Sequence, residues 1–438
     1  MDIHIYMKAL ETFIYIYNIP MLEPNVQKIN GPFNVVRLEG NVNDINKVIY
    51  IFMDRHVNVG SQIECDNIYS KDIHLFFAQS FRDLAKSSKT YDFFLEIFPH
   101  ELKYEHEYQM QKELYIRQVR KLFAKLFEFD PNSNKVSVSK YFENVRLHMA
   151  DIRTFFSKEY FYEFNFAISE ADHMNCYQSI NTGNMHNILN FLNRLKTHVE
   201  RINGVVLSYL SGNPEPVKKT YILIPIGEEY ISKSAEEKLN IELEYFNYVI
   251  NKIYNQYKHD DVKLIIRKKI NKLSKALDNI VAQCNHLIKN FEDIYKYYEN
   301  NSNKLVEYKS DYNYFVPLAK TNKMTAYIVE SINKLEEFFL IEMASFMDCY
   351  FLRRFLDKDY ITNVIAYTGA LHSIIYIEFL VKEFGFKVTH ASYSKISNIN
   401  ELNSEIKKSK NYINLKRLFY PPVFNQCSDL THFPKHFL

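Results

Sequence analysis

The 438 residues carry 54 Lys and Arg against 52 Asp and Glu, a formal charge of +2, so the chain has no overall electrostatic pull toward nucleic acid or an anionic membrane. Apolar residues make up 47%, which excludes global disorder and allows two or three ordinary domains or one large domain with an insertion. With only 9 Gly, and neither GxGxxG nor GxxxxGK[ST], dinucleotide and P-loop nucleotide sites are disfavoured.

In chain order, residues 1–30 read as a mixed lead-in with Pro20 and Pro24. Asn34–Leu38 predicts a strand ending near Gly40, and Lys47–Met53 a central strand covered on both faces, running into Asp54-Arg55-His56. Ser70 is placed to cap a helix over 71–87, with Ile73, Phe76, Phe77, Phe81 and Leu84 at helical spacing. Tyr91–Ile97 predicts a strand closed by Pro99, then a charged helix over about 100–128, then a short strand Val145–Met149 leading to Asp151-Ile152-Arg153. Helical periodicity dominates from 166 to 335: Ile188–Val206, Ala235–Tyr257 and Val262–Lys296, with a polar break at Asn300-Asn301-Ser302-Asn303. Ile332–Leu356 predicts a long apolar helix.

The stretch 363–391 carries the strongest signal. A buried strand, Val364–Tyr367, stops at Gly369, His372 follows, and a helix runs from Ile374 to Phe384, closed by Gly385 ahead of a strand at Lys387. That is the pattern of a parallel βαβ unit, and in open parallel sheets ligands sit beyond the carboxyl ends of the strands. The expected fold is therefore α/β: a mostly parallel sheet built from 31–165 and 336–438, interrupted by a helical insertion over 166–335. The aromatic segment Phe419–Phe424 near the end is expected to pack on the body.

Four predicted strands end in reactive groups: Asp54 and His56, Glu96, Asp151 and Arg153, and His372. Parallel neighbours would bring these ends to one rim. The group would suit either of two chemistries. A divalent metal held by His56, Asp54 and His372 would lower the pKa of a bound water. Without metal, a His or Glu would be the general base, with Arg153 steadying an anion. Each residue also has a structural reading: Asp54 and Asp151 as turn caps, Arg153 as an ion-pair partner of Asp151 or Glu96, His56 as a loop histidine. Glu96 lies in an apolar run, where an unpaired carboxylate is costly, so a cationic partner is expected. Weaker groups are Cys427 with His432 and His436, a partial zinc pattern; Asp172-His173 with Cys176; and Ser345 and Ser373, which lack a GxSxG elbow. The cysteines, Cys65, Cys176, Cys284, Cys349 and Cys427, are scattered and odd in number, which argues against a disulfide framework.

Three short windows resemble the erythromycin esterase-like, ChaN-like and TIKI/TraB superfamily. They are Met53-Asp54-Arg55-His56 for an early GExH-like strand end, Phe94-Leu95-Glu96 for a later LE strand end, and Gly369-Ala370-Leu371-His372 for a late GAxH unit. The resemblance implies an α/β core with histidines and carboxylates drawn from both ends of the chain, and an esterase or metallohydrolase type of activity. Met53 replaces the superfamily's glycine and Asp54 its longer glutamate. The Asn-, Lys-, Ile- and Tyr-heavy composition also resembles proteins of large DNA viruses. A catalytically degenerate viral interaction or scaffold protein on the same fold is the alternative. The substrate would be a small molecule or peptide, with a protein partner reached through the helical insertion. No membrane span is expected, since apolar runs such as Leu340–Leu352 carry Glu342 and Asp348. The start, Met1-Asp2-Ile3-His4, lacks the basic region of a secretory signal. Nucleic acid is not indicated, and the expected location is a reducing compartment, host cytoplasm or virion.

Overall fold

The computed structural model describes residues 27–437 apart from 66–68, 86, 99–112, 131–134, 154–157, 218–233, 306–318 and 411. Most of the expected lead-in, and the first part of the helix expected over 100–128, fall outside the described residues.

The strands are β1 (Lys28–Asn30), β2 (Asn34–Val42), β3 (Ile45–Asp54), β4 (Lys71–Asp72), β5 (Tyr91–Leu95), β6 (Phe129–Asp130), β7 (Lys135–Val136), β8 (Val145–Met149), β9 (Asn363–Gly369), β10 (Lys387–Ala391) and β11 (Ser428–Asp429). Six of them form the central sheet in the order β10-β2-β3-β9-β5-β8. The pairs β3–β9, β9–β5 and β5–β8 are parallel, whereas β10–β2 and β2–β3 are antiparallel. The sheet is thus mixed rather than mostly parallel. The reason is local: Asn43 and Asp44 both take positive φ, 50° and 63°, in a two-residue turn that folds β2 back on β3. The reversed β2 then offers its far edge to β10. Strands β9 and β10 keep the common direction expected of a βαβ unit, but β2 and β3 lie between them.

The helices are α1 (Ile73–Leu84), α2 (Tyr115–Leu126), α3 (Lys158–Tyr177), α4 (Thr182–Leu210), α5 (Ala235–Asn255), α6 (Asp260–Leu305), α7 (Ala319–Asp357), α8 (Ala370–Glu383), α9 (Ile399–Lys408) and α10 (Tyr412–Phe419). The cap of α1 is Asp72 rather than Ser70, because Lys71–Asp72 is drawn into a strand beside β1. The expected break at Asn300–Asn303 lies inside α6, whose helix runs on to Leu305. Asn181 caps α4 with its side chain, and Ser234 with Glu237 forms a capping box on α5. Gly385, at φ +67°, follows the end of α8 as expected.

Strand alternation sorts the sheet residues between two cores. Tyr50, Phe52, Phe93, Leu95, Ile365 and Tyr367 face α1, α2 and the chain end near Phe437. Ile49, Ile51, Met53, Phe94, Val364 and Ala366 face α8 and the helices α3–α7, and this cluster continues without a gap through the helical region. Sheet and helical region therefore share one apolar core. No helix among the described residues is long and apolar enough to cross a membrane.

At the amino end of β3, the Lys47 ammonium donates to the carbonyls of Phe355, Lys358 and Ile361 at 3.0, 2.8 and 2.6 Å, closing the end of α7. Burial pulls its pKa down to about 8. Lys47→Ala removes all three bonds, leaving the Lys358 carbonyl only the Ile361 N–H at 3.1 Å, and urea unfolding should show a loss of about 2 kcal/mol. Lys47→Arg, which keeps the charge, should lose less.

Candidate functional site

The four strands β3, β9, β5 and β8 run the same way, so their carboxyl ends meet at one rim. Each end delivers a group there. His56 lies just beyond β3 at φ +55°, a left-handed conformation that non-glycine residues rarely take and that functional sites concentrate. Its backbone N–H donates to Asp54 Oδ2 at 2.6 Å, and its Nδ1 meets the same oxygen at 2.5 Å. Tyr367 of β9 donates to Asp54 Oδ1 at 2.8 Å. The short Asp54 side chain thus lies behind the imidazole and sets its orientation.

His372 occupies the first turn of α8. Its Nδ1 meets Asp348 Oδ1 on α7 at 2.7 Å, which forms a second aspartate-backed imidazole. Between the two stands Glu96, just past β5. Its Oε1 lies 4.0 Å from His56 Nε2 and 4.0 Å from His372 Nε2, and accepts from Arg153 Nη2 at 2.8 Å. Its Oε2 accepts from Gly369 N–H at 2.6 Å, and its backbone carbonyl accepts from Arg120 Nε at 2.9 Å. Arg153 is itself gripped by Asp151, with Nε–Oδ1 at 2.9 Å and Nη2–Oδ2 at 2.7 Å. A side chain at Gly369 would sit 3.3 Å from Glu96 Oε2 and 3.5 Å from His56 Nε2, so this glycine leaves the space between them open.

The charges reinforce one another. Burial raises the cost of ionising Glu96, but the charges of His372, Arg153 and His56 and the Gly369 amide outweigh it and hold the carboxyl well below its usual range. Burial likewise opposes an imidazolium at His56, yet the Asp54 hydrogen bond and the Glu96 and Asp54 charges win, so His56 titrates above the ordinary imidazole range. His372 is raised in the same way against burial, by Asp348 and then Glu96. The two rings differ in access: the His56 side chain is 43% exposed, that of His372 only 5%. Behind His372, Asp348 Oδ2 and Tyr376 Oη are buried without a hydrogen-bond partner among the described residues.

The structure therefore gathers His56, Glu96, Arg153 and His372 into one group, from strand ends far apart in sequence. The structural readings of Asp54, Asp151 and Arg153 hold as well: both aspartates accept from the backbone two residues on, and Arg153 pairs with both carboxylates. Two expectations need correction. Asp54 backs His56 rather than sharing a ligand position with His56 and His372, and no three His, Cys, Asp or Glu groups among the described residues are placed to hold a metal. Cys427 is bonded to Cys65, so it belongs to no zinc pattern, and one disulfide is present although the scattered, odd-numbered cysteines argue against a disulfide framework. Asp348, Tyr367 and Arg120 were not singled out from the sequence. Asp348 did carry a signal, a carboxylate inside the apolar run Leu340–Leu352, the same oddity that marked Glu96.

Relatives of this chain come from Acanthamoeba polyphaga mimivirus, in line with the viral character of the composition. "Uncharacterized protein R160" is 35% identical, covering 95% of this chain and 99% of its own. "Uncharacterized protein R161" is 36% identical over the same shares, and "Uncharacterized protein R706" 38% identical over 95% and 98%. No solved structure matches. A family model described as "Family of unknown function (DUF5847)" matches residues 27–438, and the chain belongs to that family.

Proposed function

We propose that this chain is a hydrolase of ester or amide bonds that works through two imidazoles. The observation carrying the reading is the pair of aspartate-backed histidines whose Nε2 atoms both lie 4.0 Å from one oxygen of buried Glu96. A backing carboxylate holds each ring in the tautomer that leaves Nε2 free for proton transfer. His56, open to solvent, is the base. It takes a proton from water as the water oxygen attacks the carbonyl carbon. His372, enclosed between Asp348 and Glu96, is the acid. It gives its proton to the leaving oxygen or nitrogen as that bond breaks. Glu96, ionised and held by Arg153, keeps the two rings facing and stabilises whichever is charged. Arg153, paired with both Glu96 and Asp151, is thus an anchor for Glu96. The resemblance to the erythromycin esterase-like superfamily adds support through the positions of His56, Glu96 and His372.

The test is turnover of a panel of aryl esters and amides by the purified chain across pH 5–10, with metal analysis of the wild type and His372→Ala. The expected kcat/KM profile is a bell. It rises through an inflection above 6.5, the ordinary imidazole value, as His56 loses its proton. It falls again as His372 loses its own. Turnover no greater than that of Glu96→Gln overturns the reading.

A second reading, an interaction protein, rests on Phe166 and Tyr177 of α3. They are 52% and 70% exposed and project within about 20° of each other at 100° per residue. An inert panel, together with a co-purifying partner lost in Phe166→Asp/Tyr177→Asp, would favour it.

A further inference from the structure

We infer that the Cys65–Cys427 bond is a redox tether that holds the His56 loop in its working position; the inference rests on the hydrolase reading. The loop from Arg55 to Cys65 leaves the rim between two supports. On one side it is pinned without covalent help: Tyr115 N–H donates to Val57 O at 3.2 Å, Val59 N–H to Glu113 O at 2.8 Å, and Gly60 N–H to Tyr115 Oη at 3.1 Å. On the other side it is held by the chain's last segment. Glu64 N–H donates to Asn425 O at 3.0 Å, Gln62 Nε2 to Gln426 O at 2.9 Å, and the Arg55 guanidinium lies 4.0 Å from the centre of the Phe424 ring. Phe424 in turn packs edge-on against Phe33 at 5.3 Å. Cys65 and Cys427, 362 residues apart, lock that second support.

Two features make the lock consequential. Arg55 is the residue before His56, so the segment seated on the tail is continuous with the catalytic imidazole. His56 is also held at φ +55°, a backbone state that persists only where its surroundings enforce it. Cys65 and Cys427 are partly exposed, unlike buried Cys284 and Cys349.

The opening step uses a dithiol reductant. Its thiolate attacks one sulfur of the bridge, the S–S bond breaks, and the other cysteine leaves as a thiolate. The reductant's second thiol then displaces the first protein sulfur. The protein gains two electrons and two protons, and the reductant becomes a disulfide. In an oxidising compartment the tether is closed and His56 is held. In a reducing one the tail side of the loop is released. Catalytic geometry tolerates little displacement, so release lowers turnover by about tenfold or more.

The experiment compares the oxidised protein, the protein reduced with dithiothreitol, and Cys427→Ser without reductant. Hydrogen exchange, the His56 imidazole resonance and kcat/KM on an aryl ester are read in each. Exchange over 57–65 and 424–430 is expected to rise about tenfold in the reduced protein and in Cys427→Ser, with 182–210 unchanged. The His56 resonance should shift toward an ordinary imidazole titration, and kcat/KM should fall. Unchanged exchange, or alkylation of both cysteines before any reductant is added, overturns the tether. Faster exchange with equal kcat/KM overturns its control of the site while the hydrolase reading stands. If no form turns over any ester, the hydrolase reading fails alone, and the exchange and the His56 resonance still decide whether the loop is held by the bond.

Discussion

Glu96→Gln is expected to lower the pKa of His56 and His372 together and to cost about 3 kcal/mol of stability near neutral pH. The neutral amide keeps the size of the side chain but has one acceptor oxygen, so it can accept from Gly369 or from Arg153, which donate to different oxygens of Glu96, and its NH2 then faces the other donor. What it removes is the single negative charge that faces both imidazolium rings and the Arg153 guanidinium. Two linkage windows follow from the directions of the shifts. Glu96 is depressed below 4.5, so its contribution is present above that value and is lost as pH falls through its folded pKa. His56 and His372 are raised above 6.5, so theirs is present below that value and is lost as pH rises through their folded pKa values. Wild-type stability should therefore be greatest between these limits. In Glu96→Gln the acid-side loss from this residue disappears and the loss on the alkaline side moves to lower pH. Urea unfolding from pH 4 to 9, with imidazole titration by NMR, checks both. Unmoved histidine pKa values in a folded Glu96→Gln protein would mean that Glu96 does not couple the two rings.

The strands were legible where burial made them so. Val48–Met53, Phe93–Leu95 and Val364–Tyr367 are apolar runs because both faces of the central sheet are covered, and they lie in β3, β5 and β9. The sites followed from a positional rule: polar groups just beyond such runs lie at strand ends, and parallel neighbours bring the ends together. Direction was not legible in the same way. The reversal of β2 depends on Asn43 and Asp44 taking left-handed φ, a choice that an Asn-Asp pair permits but does not dictate. The polar run Asn300–Asn303 showed the opposite failure. Residues with poor intrinsic helix propensity were carried along at the end of a long helix already stabilised by packing.

The partners of the imidazoles were hidden for a further reason. Asp348 lies 24 residues before His372 and on a different helix, so only the packing of α7 against α8 joins them. Tyr367 looked like one more apolar residue of β9, although its hydroxyl completes the shell around Asp54. The Cys65–Cys427 pair was invisible to spacing, because loops from opposite ends of the chain meet only after the sheet closes. In each case the sequence held the reacting group, and the tertiary fold supplied what stands behind it.

Asp54→Asn and Asp348→Asn should separate the work of the two rings, with His56→Ala and His372→Ala as the limits. Each alanine variant should lose about 10²- to 10⁴-fold in kcat on a reactive aryl ester, the usual range for one proton-transfer group. The asparagine variants keep the packing and remove one charge. Asp54→Asn takes the anion from behind His56, the base, so the rising limb of the pH profile moves to lower pH and the rate on its plateau drops. Asp348→Asn takes it from behind His372, the acid, so the falling limb moves to lower pH and the rising limb stays. The leaving group provides a further distinction. An ester with a low-pKa phenol needs little protonation as it departs, so Asp348→Asn should damage amides and alkyl esters more than aryl esters. Asp54→Asn should slow all of them alike, because each needs the attacking water activated. If the two asparagine variants shift the same limb, the rings are equivalent and the assignment of base to His56 and acid to His372 is wrong. If neither shifts a limb while both remain folded by circular dichroism, the imidazoles do not carry the rate-determining protons.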